Sequence, residues 1–546
     1  MRRGLHPAVL FLVLAAGLFW RVLFLGETLI ATDFLHASPL WTAHPQPVRN
    51  PLHADTIEHY YPAEVLSHEH ARRGQIPRAT PYVFNGAPIP HGVHIWNSVW
   101  PPKLAFLLAF DPVRSYDLYA IAHWWLAGVA MAAFLRSLGI GPFAAFAGAL
   151  AYALSGRAAV WLHSHYMMPT LAYAPLAFLW AARGSWLTAL PVAGLFFTNP
   201  HGGLAVGAAL LFYRPASWKA VAAGTALAGV ALVPLAHAVL TGVRDARGEA
   251  EYFYRDGFRT WMLLADLFSP GLWPGSMPRN EYNVYVGLLP LAGALAALGR
   301  ERYWTAVMGV TLAVATLYPL PVWVAPVSFS LPTRYLFLFT LGACVLFARA
   351  LERRPLPAWT KAAVVLIVLA DLAPRFHAWN RPYDAAPLRE RPAVADVLQG
   401  GRVGWRLSDH PQLQRPVTPP LQLFGIPSVQ GYHTMVPQAQ AEAVAGAGRV
   451  VGGRLIELTS PEHPALDALG MRYFVTDRPF AARRFRLIYE GSVLVYENPS
   501  AAPSPPRAPP ASLPWVGLAV TAVAACVCVW GAGRAARRGR AAGASG

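Results

Sequence analysis

Long apolar runs alternate with short basic clusters along most of the chain, and this pattern predicts a helical membrane protein. The first run covers residues 8–25, and about 20 apolar residues in a helix cross a hydrocarbon core of roughly 30 Å. The later runs lie at 116–135, 141–158, 167–182, 186–198, 201–213, 219–240, 284–299, 303–318, 335–350, 360–373 and 513–532. We therefore expect a polytopic protein with about twelve transmembrane helices.

Composition and charge agree with this interpretation. The 546 residues are 55% hydrophobic and only 13% charged, and the mean hydropathy is +0.35. The formal net charge of +17 is spread between the apolar runs, which is typical of topology signals and argues against a nucleic-acid partner. All three cysteines, Cys344, Cys526 and Cys528, fall in predicted spans, so no disulfide framework or thiolate metal site is indicated.

The basic residues also predict that both termini are cytoplasmic. Arg2 and Arg3 precede the first run, and the bulky residues after Arg21 offer no small-residue cleavage site, which favours an uncleaved anchor. The later basic clusters fall on the same side in this count, at Arg136, Arg183, Arg214, Lys219, Arg300, Arg302, Arg349, Arg353, Arg354 and the tail. The loop after the first span is then extracytoplasmic.

The same pattern divides the chain into three parts. Residues 1–373 form a transmembrane module, with large extracytoplasmic loops at 27–103 and 241–283. Residues 374–510 form a small extracytoplasmic α+β domain with a Pro-rich linker, and 511–546 hold the last span and a basic cytoplasmic tail.

Strand-like segments support the α+β assignment of the second part. Residues 471–476 alternate as a strand does, and 485–489 and 493–496 flank a turn at Gly491-Ser492. We expect the last two to form a hairpin and the strands to be antiparallel.

Candidate chemistry is concentrated in the first large loop. The segment Asp55-Thr-Ile-Glu-His-Tyr-Tyr-Pro62 places two carboxylates, a histidine and two tyrosines within eight residues, and Asp33 lies earlier in the same loop. Residues 55–73 predict a short helix whose first turns are disturbed by Pro62. A loop of this length and aromatic content is typically functional rather than disordered.

Motifs along nearly the whole chain are similar to those of one family. They are Asp33, Asp55 with Tyr61-Pro62, Gly74-Gln-Ile-Pro77, Pro81-Tyr-Val-Phe-Asn-Gly-Ala-Pro88, Tyr285-Val-Gly-Leu-Leu-Pro290, Leu331-Pro-Thr-Arg334, Val429-Gln-Gly-Tyr432, Leu469-Gly-Met-Arg-Tyr473 and Tyr496-Glu-Asn-Pro499. In order and spacing they resemble the bacterial YfhO family of membrane proteins, which is similar to the GT-C class of glycosyltransferases. The chain departs from the family at Pro77–Tyr82, where a Trp and an Asn are absent.

The resemblance implies a GT-C-like fold and a glycosyltransferase in the bacterial cytoplasmic (inner) membrane. Such an enzyme moves a sugar from a polyprenyl-phosphate-linked donor to an envelope glycan or lipid acceptor on the extracytoplasmic face. Two other classes stay open. A transporter or flippase for a lipid-linked saccharide usually has inverted repeats, and none is visible in the sequence. A non-catalytic scaffold would use residues 374–510 to bind an envelope partner.

The resemblance also points to candidate catalytic and phosphate-binding residues. Similar GT-C enzymes place an acid in the first loop, which makes Asp55 and Asp33 candidates for the general base. Either acid is equally well explained as a helix cap or a partner of a loop arginine. Arg334 and Lys103 are candidates to bind the donor phosphate, although an interfacial cation often extends to lipid headgroups instead.

Further polar residues are candidates for substrate binding, namely Tyr61, Glu58, His59, His163, His165 and His201. The histidines lack a clear ligand spacing, so a divalent metal stays open and structural roles fit equally well. The aromatic residues Tyr60, Tyr61, Tyr82, Trp96 and Trp100 either stack on sugar rings or form an interfacial belt. Whether Asp33 and Asp55 converge on one concave pocket with Arg334 discriminates the enzyme from the other two classes.

Overall fold

A helical bundle is followed by a smaller region of strands and short helices. The computed structural model describes residues 6–77, 79–88, 97–243, 260–268, 283–316, 332–353, 355–413, 415–432, 435–502 and 520–523. The predicted span at 513–532 lies outside the described residues except for 520–523, and so does most of the loop predicted at 241–283.

The helices up to residue 379 belong to the bundle and the loops that it carries. They are α1 Pro7–Leu18, α2 Trp20–Phe24, α3 Asp33–His36, α4 Tyr61–Arg72, α5 Pro101–Ala109, α6 Pro112–Ser137, α7 Pro142–Ala153, α8 Gly156–Trp161, α9 Met168–Ala182, α10 Ala189–Thr198, α11 Pro200–Tyr213, α12 Trp218–Leu227, α13 Gly229–Thr241, α14 Thr260–Phe268, α15 Leu288–Ala296, α16 Arg302–Thr316, α17 Leu336–Glu352 and α18 Ala358–Trp379. Short 3-10 turns at Pro51–His53 and Pro332–Tyr335 precede the segments that carry Asp55 and Leu336.

Helix α6 lies at the centre of the bundle and packs against α1, α7 and α9. It begins where the sequence signals a start, because the Asp111 carboxylate accepts hydrogen bonds from the Val113 and Arg114 amides and Pro112 needs no partner for a missing N–H. The Trp124 indole donates to the Ala153 carbonyl at 2.7 Å. These contacts fix α6 against its neighbours.

The number of helices able to cross a membrane is smaller than the sequence predicts. Within the described residues, three are long and apolar enough, Pro112–Ser137, Thr333–Glu352 and Ala358–Trp379, and the bent pair Pro215–Leu227 and Gly229–Thr241 makes a fourth if it is one span. Most other predicted runs are helical but short, such as α7 and α9. Hydropathy identifies apolar segments but not the length of the helix that each one forms. The apolar runs therefore outnumber the described helices that are long enough to cross a membrane.

The region after α18, residues 380–502, is here called the C-terminal region. Its helices are α19 Val394–Val397, α20 Gln438–Ala443 and α21 Pro464–Ala468, and its strands are β4 Arg402–Arg406, β5 Val436–Pro437, β6 Gly448–Val451, β7 Leu455–Leu458, β8 Met471–Thr476, β9 Arg486–Glu490 and β10 Leu494–Glu497. The main sheet has the order β4-β8-β10-β9. The predicted hairpin is confirmed by the antiparallel pair β9 and β10, but β4 runs parallel to β8. The three predicted strands, β8, β9 and β10, pair antiparallel as expected, whereas the parallel strand β4 was not predicted.

The first large loop packs against the C-terminal region. Strands β1 Ala79–Thr80 and β2 Ala87–Pro88 form a small ribbon in this loop, and a further strand after α13, β3 Gly242–Val243, pairs with β5. The backbones of Thr28 and Tyr383 exchange hydrogen bonds of 2.9 and 2.8 Å. Phe84 is buried in one core with residues of β7 and β8. Segments distant in sequence therefore build one surface above the bundle.

Candidate functional site

Asp55 lies at the start of an unusual helical turn. Residues Thr56–Tyr60 form a π-helical turn in which the Tyr61 amide donates to the Thr56 carbonyl, five residues earlier. Pro62 has no N–H to continue a regular ladder, and π-helical turns are frequent at functional sites. The predicted helix from Asp55 to Arg73 is confirmed, with its first turns disturbed as expected.

A cavity of about 50 Å³ brings Asp55 and Arg334 together. Three segments line it, and its lining residues are Leu52, His53, Asp55, Thr56, Tyr60, Val160, Trp161, His163, Ser164, Tyr166, Met167 and Arg334. The Tyr60 hydroxyl donates to the Asp55 carboxylate at 3.2 Å, which orients the acid. Since one water molecule needs about 10–15 Å³ by this measure, the cavity accommodates a small polar group rather than a whole sugar.

His163 presents a neutral imidazole in the wall of this cavity. Its Nδ1 lies 2.7 Å from the Leu29 carbonyl, which only accepts, so Nδ1 carries the proton. Burial lowers the pKa of His163 to about 4. Asn380 is a side-chain hydrogen-bond neighbour of His163, and Ser164 is one of Tyr60. His163 and Ser164 therefore belong to the polar wall of the cavity.

A second neutral histidine, His53, stacks on His163 with ring centroids 3.8 Å apart. The Asn50 amide oxygen accepts from the Leu52 amide at 3.1 Å, so the Asn50 NH₂ faces His53 Nε2 at 3.0 Å. His53 Nδ1 therefore carries the proton and donates to the Tyr383 hydroxyl at 3.0 Å. Burial is the main cause that lowers the pKa of His53 well below its usual value. Sequence reasoning missed His53, although it lies two residues before Asp55.

Asp33 does not line this cavity. One oxygen of its carboxylate accepts from the Arg49 amide at 2.7 Å, and the Arg49 guanidinium lies 4.4 Å from the Tyr383 ring centre. Burial raises the pKa of Asp33. Asp55 therefore lies in one cavity with Arg334, whereas Asp33 does not. The Asp33 carboxylate instead binds the backbone of its own loop at Arg49.

Lys103 also lies away from the cavity. Its ammonium donates to the Glu64 carboxylate at 2.6 Å, and the Ser115 hydroxyl donates to the same oxygen at 2.6 Å. Both charged side chains are 2% exposed, and the ammonium lies 4.4 Å from the Tyr119 ring centre. The predicted phosphate-binding cation is thus neutralised by a buried acid, a partner that the sequence pattern did not reveal.

The remaining substrate-binding candidates lie around the cavity rather than in it. Glu58 accepts two hydrogen bonds from Arg415. His59 lines a separate cavity of about 10 Å³ with Tyr432, and burial lowers its pKa to about 3. Tyr61 is buried in the bundle core.

Two further histidines are likewise not among the residues that line the cavity. The ring of His165 is buried against Tyr60 and Tyr116, and His201 is partly exposed in the first turn of α11. Within the described ranges, no group of three or more His, Cys, Asp or Glu residues is arranged to hold a metal ion.

The predicted aromatic residues have mixed positions. Tyr60 lines the cavity, whereas the Trp100 indole donates to the Tyr173 hydroxyl at 2.8 Å and stacks on Phe197. Tyr82 is partly buried beside the C-terminal region, where its carbonyl accepts from Ser428. Trp96 lies outside the described residues. Of the four predicted aromatic residues that the structure describes, Tyr60, Tyr61, Tyr82 and Trp100, Tyr60 alone lines the cavity.

The apolar helices define a helical membrane protein, and its fold is similar to that of a solved glycosyltransferase. The arabinofuranosyltransferase AftD from mycobacteria, known from single-particle cryo-electron microscopy, has a TM-score of 0.51 and 14% sequence identity over 82% of this chain and 39% of its own. A mutant of AftD gives a TM-score of 0.47 at 16% identity, over 81% of this chain and 39% of that one.

These likenesses concern the fold alone, because the sequence identities are low. The chain spans well under half of the length of AftD, with 39% of that protein covered. No protein-family model matches the chain, and no curated protein matches it. The resemblance to the YfhO family therefore stays a prediction.

Proposed function

We propose that this protein is a GT-C-type membrane glycosyltransferase that moves a sugar from a polyprenyl-phosphate-linked donor to an envelope glycan or lipid. The observation that carries the proposal is the cavity in which Asp55 and Arg334 meet beside the polar side chains of His163 and Ser164. An acid, a planar cation and neutral hydrogen-bonding groups are the residue types that this reaction needs.

Asp55 is the proposed general base. In the reaction an acceptor hydroxyl oxygen forms a bond to the anomeric carbon of the sugar, while the bond from that carbon to the phosphate oxygen breaks. The hydroxyl proton passes to the Asp55 carboxylate, which the Tyr60 hydroxyl orients from 3.2 Å. The released group is the polyprenyl phosphate.

Arg334 is the proposed partner of that leaving group. Its guanidinium offers planar paired donors that match phosphate oxygens, and it begins the long helix of residues 333–352 where a lipid phosphate would meet the bundle. Ser164 and the neutral His163 line the same cavity and supply further polar groups beside that phosphate. The fold likeness to an arabinofuranosyltransferase makes a pentofuranosyl donor one of the sugars to test.

Transfer of labelled sugar in membranes tests the proposal. Membranes with and without the protein are supplied with a panel of polyprenyl-phosphate sugars, and label in envelope polymers and lipids is measured. Asp55→Asn keeps shape but cannot accept the proton, so turnover should fall by about a hundredfold or more. Asp33→Asn is the matched control and should retain activity, because Asp33 lies outside the cavity.

Protein levels are compared by blot for every variant. Arg334→Lys keeps the charge and loses the planar fork, so donor use should weaken more than folding. If Asp55→Asn is expressed normally and transfers sugar at the native rate, Asp55 is not the base. If no donor in the panel is used at all, a flippase or scaffold replaces this proposal.

A further inference from the structure

We propose that Glu58 and Arg415 are a positioning pair, through which the C-terminal region holds the Asp55 turn in its working geometry. This inference rests on the proposed function. The two terminal guanidinium nitrogens of Arg415 donate to Glu58, one to each carboxylate oxygen, at 2.8 and 2.5 Å. The Thr418 amide donates to the same carboxylate at 2.8 Å.

Glu58 belongs to the turn that presents Asp55. It lies in the π-helical turn Thr56–Tyr60, three residues after Asp55 and two before Tyr60, whose hydroxyl orients the Asp55 carboxylate. The Glu58 side chain is 0% exposed and that of Arg415 is 33% exposed. A displacement of Glu58 therefore moves both ends of the hydrogen bond that aims Asp55.

The same part of the C-terminal region also forms hydrogen bonds with the chain before Asp55. Val48 and Gln412 exchange two hydrogen bonds, of 2.7 Å from the Val48 amide and 3.2 Å from the Gln412 side chain. The His410 ring lies 3.2 Å from the Gln46 carbonyl. Asp55 is thus bracketed from both sides by one short stretch, residues 410–418 apart from the undescribed 414.

The chemistry of the pair favours positioning over simple packing. A buried ion pair is a poor way to gain stability, because apolar residues of similar size often serve as well or better. A bidentate arginine–carboxylate pair instead fixes orientation, since two parallel bonds permit only one relative geometry. A catalytic acid must be held within about 0.5 Å of its productive position, and this pair supplies that restraint.

Kinetics of Arg415 variants test the inference with the labelled donor that proves active in the panel. Arg415→Gln should lower kcat by about tenfold to a hundredfold, because a small misplacement of a catalytic group has that effect. The donor KM should change less than about twofold, since Arg334 is untouched. Arg415→Lys keeps the charge but not the planar fork, so its kcat should lie between that of Arg415→Gln and that of the native protein.

A matched control lies in the same region. Arg449 and Glu457 form an ion pair at 2.7 Å whose side chains are 69% and 46% exposed, so Arg449→Gln should leave kcat unchanged. Binding of unsubstituted polyprenyl phosphate, followed by the thermal shift it causes, should be native-like in Arg415→Gln and weakened in Arg334→Gln. That readout separates positioning of Asp55 from loss of the donor site.

The outcomes separate this inference from the proposed function. A native kcat in folded Arg415→Gln, with Asp55→Asn inactive, overturns the positioning role alone. Native activity in Asp55→Asn overturns the proposed function and the positioning role with it. If Arg415→Gln does not fold, Arg415→Lys decides, because a folded lysine variant with native kcat shows that the paired geometry is not needed.

Discussion

The buried pair of Lys103 and Glu64 leads to a prediction that separates a structural cation from a substrate-binding one. Lys103→Met removes the ammonium and leaves the Glu64 carboxylate, 2% exposed, with a hydrogen bond of 2.6 Å from the Ser115 hydroxyl. Breaking a buried ion pair on one side costs about 3–5 kcal/mol, because the remaining charge is uncompensated. We expect Lys103→Met to lose stability on that scale.

The double variant gives the decisive comparison. In Lys103→Met/Glu64→Gln neither charge remains, and the new amide keeps a hydrogen bond to Ser115, so most of the lost stability should return. Unfolding midpoints in mild detergent and sugar transfer in membranes are measured for both variants. The control is Arg391→Met, since the Arg391–Asp396 pair has side chains 41% and 74% exposed and should contribute less than about 1 kcal/mol.

Two results contradict the reasoning. If Lys103→Met is as stable as the native protein, the ammonium is not needed to compensate Glu64. If the double variant regains its stability and still transfers no sugar, Lys103 acts on the substrate, as its position in the sequence first indicated.

Two further predictions concern packing and pH. Gly128→Ala places a Cβ 2.4 Å from Phe11 Cε1, so we expect the free energy of unfolding to fall by about 1–3 kcal/mol. The Cβ of Gly309→Ala meets nothing within 4 Å, so that variant should be neutral or stabilised by up to about 1 kcal/mol. Thermal midpoints of the two variants should differ in sign or size. Burial holds the pKa of His163 at about 4 in the folded state, below roughly 6.5 in the unfolded chain, so the unfolded state binds the proton first and stability falls as pH drops from about 6.5 towards 4. The loss from this group is about 3 kcal/mol, and urea midpoints across that pH range should decline less in His163→Gln; equal slopes would contradict this account.

Local patterns predicted the elements better than their roles. The run at 116–135 became the helix Pro112–Ser137, and residues 471–476 became β8, because periodicity and caps are properties of neighbouring residues. Within the described residues, fewer helices are long enough to cross a membrane than the apolar runs predicted, since an apolar run does not reveal where its helix stops.

The site required contacts that no local pattern contains. Asp33 and Asp55 are both acids in one polar loop, and what distinguishes them is the backbone amide of Arg49 that Asp33 binds. Lys103 looked like a free cation because its partner Glu64 lies 39 positions earlier. The partner of Glu58 lies 357 positions later. Only the tertiary fold assigns these partners.

The long separations between these partners also determine when during synthesis their contacts can form. Thr28 pairs with Tyr383, Glu58 with Arg415, and Tyr82 with Ser428, so the ribosome finishes every long helix described before those partners exist. A nascent chain that ends after Trp379 would carry the helices of the bundle but not Arg415, the partner of Glu58. Synthesis therefore delays the assembly of the surroundings of Asp55 until residue 415 has been added.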